Sequence, residues 1–253
     1  MRTSKTKALA LLTAAAVLAG CGGNDNIITD QGPDEIYQLG SDSMESGNFP
    51  IALAYFQALE ARYPFSNVTR QAQLDMIYAY YRGREFESAI DAADEFEREN
   101  PTHPRVDYCL YMKGLSYFDQ APNILERWFR VDLSERPPRD TMQAFSVFQE
   151  LVRRFPNSQY VPDSRERMVF LRNRLAAYEN HVASYYLERG AYVAAINRAK
   201  YALEHFPGAP ATADSLAIMV EGYELLGMTD LANDARRVMQ ESFGELAAAT
   251  EDD

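Results

Sequence analysis

In four repeated stretches of this chain an alanine stands twelve residues before a proline: Ala52 and Pro64, Ala89 and Pro101, Ala144 and Pro156, Ala195 and Pro207. The residue before each proline is Tyr63, Asn100, Phe155 or Phe206. A fifth alanine, Ala232, has Phe243 and Gly244 at the same remove. Counting on from each alanine, the fourth residue is Phe56, Ala93, Phe148, Ala199 or Arg236, and the seventh is Leu59, Phe96, Leu151, Ala202 or Met239. Apolar positions at intervals of three and four lie on one face of an α-helix. The proline then ends that helix, because it lacks an N–H and disfavours helical backbone in the residue before it. Helical units repeated along a chain cannot bury their faces alone, so they must stack on their neighbours.

Ahead of the alanines lie turns with glycine: Gly47-Asn48-Phe49, Gly83-Arg84-Glu85-Phe86, Gly190-Ala191-Tyr192 and Gly227-Met228. Glycine accepts the left-handed conformation that ends a helix, so each of these glycines is expected to do so. Another amphipathic stretch precedes each turn, as in Ile36, Leu39, Gly40 and Ser43. This is the tetratricopeptide pattern, and Ile36, Leu39, Gly40, Ala52, Phe56 and Pro64 keep its spacing in the first unit. Small residues stand where helix axes must approach. The intervals between prolines are 37, 55 and 51 residues. The second contains an insertion, about residues 119–139, with the sole tryptophan, Trp128, and Arg136-Pro137-Pro138-Arg139. The third contains extra helix, since residues 163–189 hold neither Pro nor Gly. A helix of that length, about 40 Å, would bridge the two halves of the array. The fold reads as all-α: a right-handed superhelical solenoid of five tetratricopeptide-like helix pairs with one long bridging helix. The pairs are 33–64, 68–101, 104–156, 163–207 and 210–244, and residues 245–253 read as a frayed tail.

The start of the chain has another purpose. Arg2, Lys5 and Lys7 precede an apolar run, Ala8 to Leu18, too short to span a bilayer but suited to a signal peptide covering residues 1–20. Leu18-Ala19-Gly20-Cys21 resembles the lipobox of bacterial lipoproteins. The alternative is an ordinary signal peptide with a chance cysteine. The lipobox resemblance implies a triacylated Cys21 and so a durable anchor, since one acyl chain holds only marginally. Gly22 in place of Asp favours outer-membrane sorting by the rule for such lipoproteins. Residues 21–32 read as the lipidated N-terminus with a flexible polar tether. Cys109 is the other cysteine, so an acylated Cys21 leaves no internal disulfide and packing must stabilise the core. Loss of a leader with three cations and no acid takes the formal net charge from −12 to −15. Such a surface disfavours nucleic acid and suits polypeptide partners.

No catalytic, cofactor or metal constellation emerges. His103, His181 and His205 fall in different units, and HExxH, CxxC, GxSxG and phosphate-binding glycine loops are absent from the sequence. His103 reads as a turn residue bonded to backbone, and Cys109 as a small buried hydrophobe. An enzymatic role, such as a peptidoglycan hydrolase regulator with residual activity, has no residues to carry it. Tyrosine is the enriched type, with sixteen, clustered in Ile77-Tyr78-Ala79-Tyr80-Tyr81 and Ala183-Ser184-Tyr185-Tyr186. Some must fill gaps between helices. Others, on the inner surface of a superhelix, would bind an extended peptide through ring area and hydroxyl. The first two units offer Tyr37, Tyr63, Phe65, Asp75, Tyr78 and Tyr81 for that purpose.

Longer strings carry a sharper resemblance. Glu35-Ile36-Tyr37, Arg62-Tyr63-Pro64-Phe65, Asn100-Pro101-Thr102-His103-Pro104, Tyr111-Met112-Lys113-Gly114-Leu115, Phe155-Pro156-Asn157-Ser158-Gln159-Tyr160 and Tyr186-Leu187-Glu188-Arg189-Gly190 resemble the BamD (YfiO/ComL) family. These are the lipoproteins of the outer-membrane β-barrel assembly machinery. The resemblance covers Cys21 and nearly all of 33–244. It implies five repeats, lipid anchoring at the periplasmic face of the outer membrane, and binding to BamA mainly through the C-terminal half. It further implies partners BamC and BamE, and an N-terminal half that receives the C-terminal targeting sequences of unfolded outer-membrane proteins. Arg198 matches an arginine at the family's BamA-facing surface; a plain solvent-facing arginine is the other reading. Without these strings, the repeat pattern would equally fit another envelope lipoprotein scaffold, such as a pilus-assembly factor.

Overall fold

The computed structural model describes residues 31–120 and 139–249. Among these residues there are ten helices and no strands. They are α1 (Pro33–Glu45), α2 (Phe49–Arg62), α3 (Asn67–Arg82), α4 (Phe86–Glu99), α5 (Val106–Gln120), α6 (Arg139–Arg154), α7 (Val161–Glu188), α8 (Tyr192–His205), α9 (Thr212–Leu225) and α10 (Thr229–Ala249). Paired in order, they make five helix hairpins, the tetratricopeptide architecture. The chain divides into two compact units, Met1–Gln73 and Leu74–Asp253.

The alanines of the repeat are its most buried points. Ala52, Ala89, Ala144, Ala195 and Ala232 are all 0% exposed. The positions four and seven residues on are buried in the first four pairs (Phe56 and Leu59, Ala93 and Phe96, Phe148 and Leu151, Ala199 and Ala202). In the fifth they are Arg236 and Met239, both half-exposed.

Each pre-proline residue closes its helix in the same way. Tyr63, Asn100 and Phe206 sit at φ −130°, −129° and −125° with ψ 55°, 57° and 48°. The N–H of Tyr63, Asn100, Phe155 and Phe206 donates to Leu59, Phe96, Leu151 and Ala202, at 2.8, 2.8, 2.8 and 2.9 Å.

The glycine turns obey an offset rather than a residue type. In the first, fourth and fifth pairs the residue five before the alanine takes a positive φ: Gly47 (78°), Gly190 (74°) and Gly227 (71°). In the second pair that position is Arg84, at φ 63°, and Gly83 remains within the ordinary range. The expectation that Gly83 supplies the left-handed residue is therefore corrected. Hydrogen-bond geometry sets the site, with Arg84 N donating to Tyr81 O and Glu85 N to Tyr80 O, the pattern seen at the other three turns.

Helix α7 has 28 residues and begins at Val161, with Pro162 in its first turn. Proline fits there because the first helical N–H groups lack partners in any case. The helix packs on α6, α8 and α9, so it bridges consecutive pairs. Helix α10 continues to Ala249, past the boundary at 244 that the repeat spacing suggests. Ala247, Ala248 and Ala249 favour helix.

Close approach is built from size complementarity. A Cβ placed on Gly40 would lie 2.4 Å from the Phe56 ring, and one on Gly114 2.6 Å from the Phe148 ring. On α9, a Cβ at Gly222 would lie 2.7 Å from Ile196. In the second unit, Leu74, Ile77, Phe96, Cys109, Met112, Phe148 and Leu171 form a continuous core spanning α3 to α7.

Candidate functional site

In the first unit, Tyr37 and Tyr63 are half-buried. The Tyr37 ring lies 5.9 Å from that of Phe56. Tyr63 donates its hydroxyl to the Gln31 carbonyl at 3.1 Å, and its own carbonyl accepts the Thr69 hydroxyl at 2.6 Å. Tyr63 thus ties the entry of α1 to the turn before α3. Phe65, in that turn, is 95% exposed, a full aromatic ring offered to solvent.

The second unit holds the other three residues of the candidate set, Asp75, Tyr78 and Tyr81. Tyr78 and Tyr81 are half-buried on α3 and pack against the core. The Tyr78 hydroxyl accepts from Arg82 at 2.5 Å, and the Arg82 guanidinium lies 5.5 Å from the centre of the Tyr78 ring. Tyr81 donates to Asp119 Oδ2 at 2.5 Å, joining α3 to α5. Burial, then the Asp119 carboxylate, raises the Tyr81 pKa well above the ordinary phenol range. Asp75, half-buried on α3, acts on Tyr108: burial first, and then the Asp75 charge, raises the Tyr108 pKa.

The same surface continues onto helices that sequence reasoning did not single out. Tyr111 of α5 stacks on Tyr160 at 4.5 Å with 16° between ring planes, and Tyr108 lies 6.0 Å from Tyr160. Tyr111 donates to Asp163 at 3.0 Å, and Arg167 Nε donates to the same carboxylate oxygen at 2.7 Å. Burial and the Asp163 bond push the Tyr111 phenol up to about 12. Arg167 in turn lies 4.8 Å over the Phe118 ring. Successive first helices α3, α5 and α7 thus present aromatic rings with carboxylates and guanidiniums between them. The signal was faint. Tyr108 and Tyr111 share a helix face by their spacing of three, but Tyr160 meets them from fifty residues away.

Arg198 on α8 is neither buried nor plainly solvent-facing. Its side chain is 46% exposed, and Nη1 donates at 3.1 Å to Glu179 of α7, whose side chain is 9% exposed. That bond, together with the Glu179 charge, raises the Arg198 pKa further. Arg198 also lines an open pocket of about 310 Å³ with Tyr186, Ala194, Asn197 and Tyr201. Elsewhere on α7, Asn180 donates to Ala211 O at 2.6 Å and accepts from Ser215 at 2.6 Å, fixing α7 to α9.

Cys21 lies outside the described residues, as do Trp128 and the rest of 121–138. Cys109 is buried, and burial pushes its thiol up to about 12, away from reactivity. His103 Nδ1 accepts from Arg105 N at 3.2 Å, and its ring meets Phe96 edge-on at 5.1 Å. Among the described residues, no group of three His, Cys, Asp or Glu side chains could hold a metal ion. Among the same residues, no helix is long and apolar enough to cross a membrane.

The helix hairpins define a tetratricopeptide repeat protein whose first helices carry an aromatic surface. Within that class the chain belongs to the YfiO family of outer membrane lipoproteins, whose model matches residues 29–238. It is 37% identical over 236 residues to the outer membrane protein assembly factor BamD of Vibrio cholerae, covering 93% of this chain and 98% of the relative. The factor of the same name from Neisseria meningitidis serogroup A is 39% identical over 239 residues, covering 94% and 90%. That of Haemophilus influenzae is 35% identical over 235 residues, covering 93% and 90%. Among solved structures, a tetratricopeptide repeat protein from Parabacteroides merdae is 16% identical with a TM-score of 0.40, covering 92% of this chain and 70% of that one. The MamA protein is 14% identical with a TM-score of 0.36, covering 85% and 94%.

Proposed function

We propose that this chain is a non-enzymatic assembly factor of outer-membrane β-barrel proteins, held by acylated Cys21 at the periplasmic face of the outer membrane. In this reading it scaffolds the assembly complex through BamA, with Arg198 at that contact, and also holds BamC and BamE. Its other task is to receive the C-terminal targeting sequences of unfolded outer-membrane proteins. Family membership and the relatives named assembly factors support the general role. The observation that carries the receptor role is the aromatic surface of α3, where Tyr78 and Tyr81 stand with polar partners already engaged. Rings held this way offer apolar area at low entropic cost. A chain whose targeting end alternates apolar residues and finishes in an aromatic one suits such a surface.

The test is binding of a labelled peptide carrying the last residues of an outer-membrane protein to the full chain in detergent. Replacing Tyr78 and Tyr81 together by alanine is expected to weaken binding by roughly tenfold or more, as loss of aromatic anchors does. Unchanged affinity removes the assignment to this surface. In parallel, a pull-down on the chain should retain BamA and lose it on Arg198→Glu; a pull-down without BamA removes the scaffold role.

A further inference from the structure

The turn between α3 and α4 departs from its three counterparts in one residue. Gly47, Gly190 and Gly227 occupy the left-handed position elsewhere, and here Arg84 does. A side chain at positive φ costs free energy that glycine avoids. The backbone hydrogen bonds of this turn are those of the others, so the backbone itself gives no reason for an arginine. Attraction of cations to a helix C-terminus accounts for Arg82, the last residue of α3, without any strain. Arg84 is different: it is exposed, and among the described residues no carboxylate forms an ion pair with it. Its guanidinium lies 5.2 Å over the Phe86 ring, and Phe86 lies 6.0 Å from Tyr81. Arg82 stands over Tyr78 in the same way. Two guanidiniums are thus each backed by an aromatic face, beside the two tyrosines of the peptide-binding surface.

We propose that Arg84, with Arg82, captures the α-carboxylate of an unfolded chain while its terminal aromatic residue rests on Tyr78, Tyr81 and Phe86. This rests on the peptide-receptor reading above and names the group that sets the peptide's end. The chemistry is matched: arginine forks pair with carboxylates, and a ring behind the fork holds its plane. In a chain with this much negative charge, a cation left without an acid partner is complementary to an acid that comes from outside.

The experiment compares two peptides of one sequence ending in alternating apolar residues and a terminal phenylalanine, one with a free α-carboxylate and one amidated. Both are titrated against the full chain in detergent by fluorescence polarisation. The unaltered chain should bind the acid roughly tenfold more tightly than the amide. Arg84→Gly, which removes the guanidinium and suits the left-handed turn, should abolish that preference without lowering the melting temperature. Equal binding of acid and amide by the unaltered chain overturns this inference and leaves the receptor reading standing. Preference for the acid that survives Arg84→Gly also overturns it. Failure of both peptides to bind overturns the receptor reading as well.

Discussion

The third and fourth helix pairs solve one packing problem in opposite ways. In the third, Gly114 of α5 leaves a hollow and the Phe148 ring of α6 fills it, closely enough that a single added carbon would lie 2.6 Å from the ring. In the fourth, both contributions are small: Ala183 of α7 and Ala199 of α8 are each 0% exposed and share a cluster with Ile218 of α9. The repeat therefore constrains the summed volume at a helix crossing rather than the residue on either side. The two solutions differ in what they depend on. At the crossing itself the third pair relies on its own ring, whereas the fourth sets two small residues beside Ile218 of the next pair.

This contrast can be broken by substitution, and the largest effect should come from the ring. Phe148→Ala is expected to cost about 3–5 kcal/mol, because it empties a fully enclosed site; urea denaturation of the full chain measures it. A cost near that of an exposed aromatic would show that the hollow collapses. Gly114→Ala adds volume where none is free, and overpacking of that kind costs about 1–3 kcal/mol. At the fourth pair, Ala183→Gly should cost only about 1 kcal/mol, mainly in helix propensity. If Ala183→Gly proves as damaging as Phe148→Ala, the distinction between the two pairs is wrong. The smallest effect is ionic and belongs to the third pair. The phenol of Tyr111 is raised from 10 to about 12 in the folded state, so the folded chain holds this proton more tightly than the unfolded one. Its contribution is fully present below pH 10 and is lost as pH rises toward 12. Melting temperature should fall over that window, and Tyr111→Phe should make the fall shallower.

The architecture was legible because it depends on local rules. The spacing of Ala52 to Pro64 and its repeats encodes a buried contact and a helix stop, both fixed within one turn of chain. Arg84 shows the limit of reading by residue type, since the backbone took the fifth position before Ala89 even though glycine was available at Gly83. Pro162 shows a similar limit: a proline that ends a helix from within can also stand in its first turn. The candidate surface was legible on α3, where Asp75, Tyr78 and Tyr81 share a helix face. Its continuation was not, because the stack of Tyr111 on Tyr160 joins residues from different pairs. Only packing reveals that contact. The pairing of Arg198 with Glu179 was hidden for the same reason, since a buried carboxylate on α7 looks in sequence like any solvated helix acid.

The uniform closure before Pro64, Pro101, Pro156 and Pro207 has a consequence for how such a chain can change over time. Every closure is assembled from atoms lying within a few residues of it, and three of the four share φ and ψ to within about 10°. A cut or splice placed just after one of these prolines would carry an intact terminus with it. Modules could then be gained, lost or exchanged between chains without redesigning their ends, leaving only the fit of the new neighbouring faces to be refined.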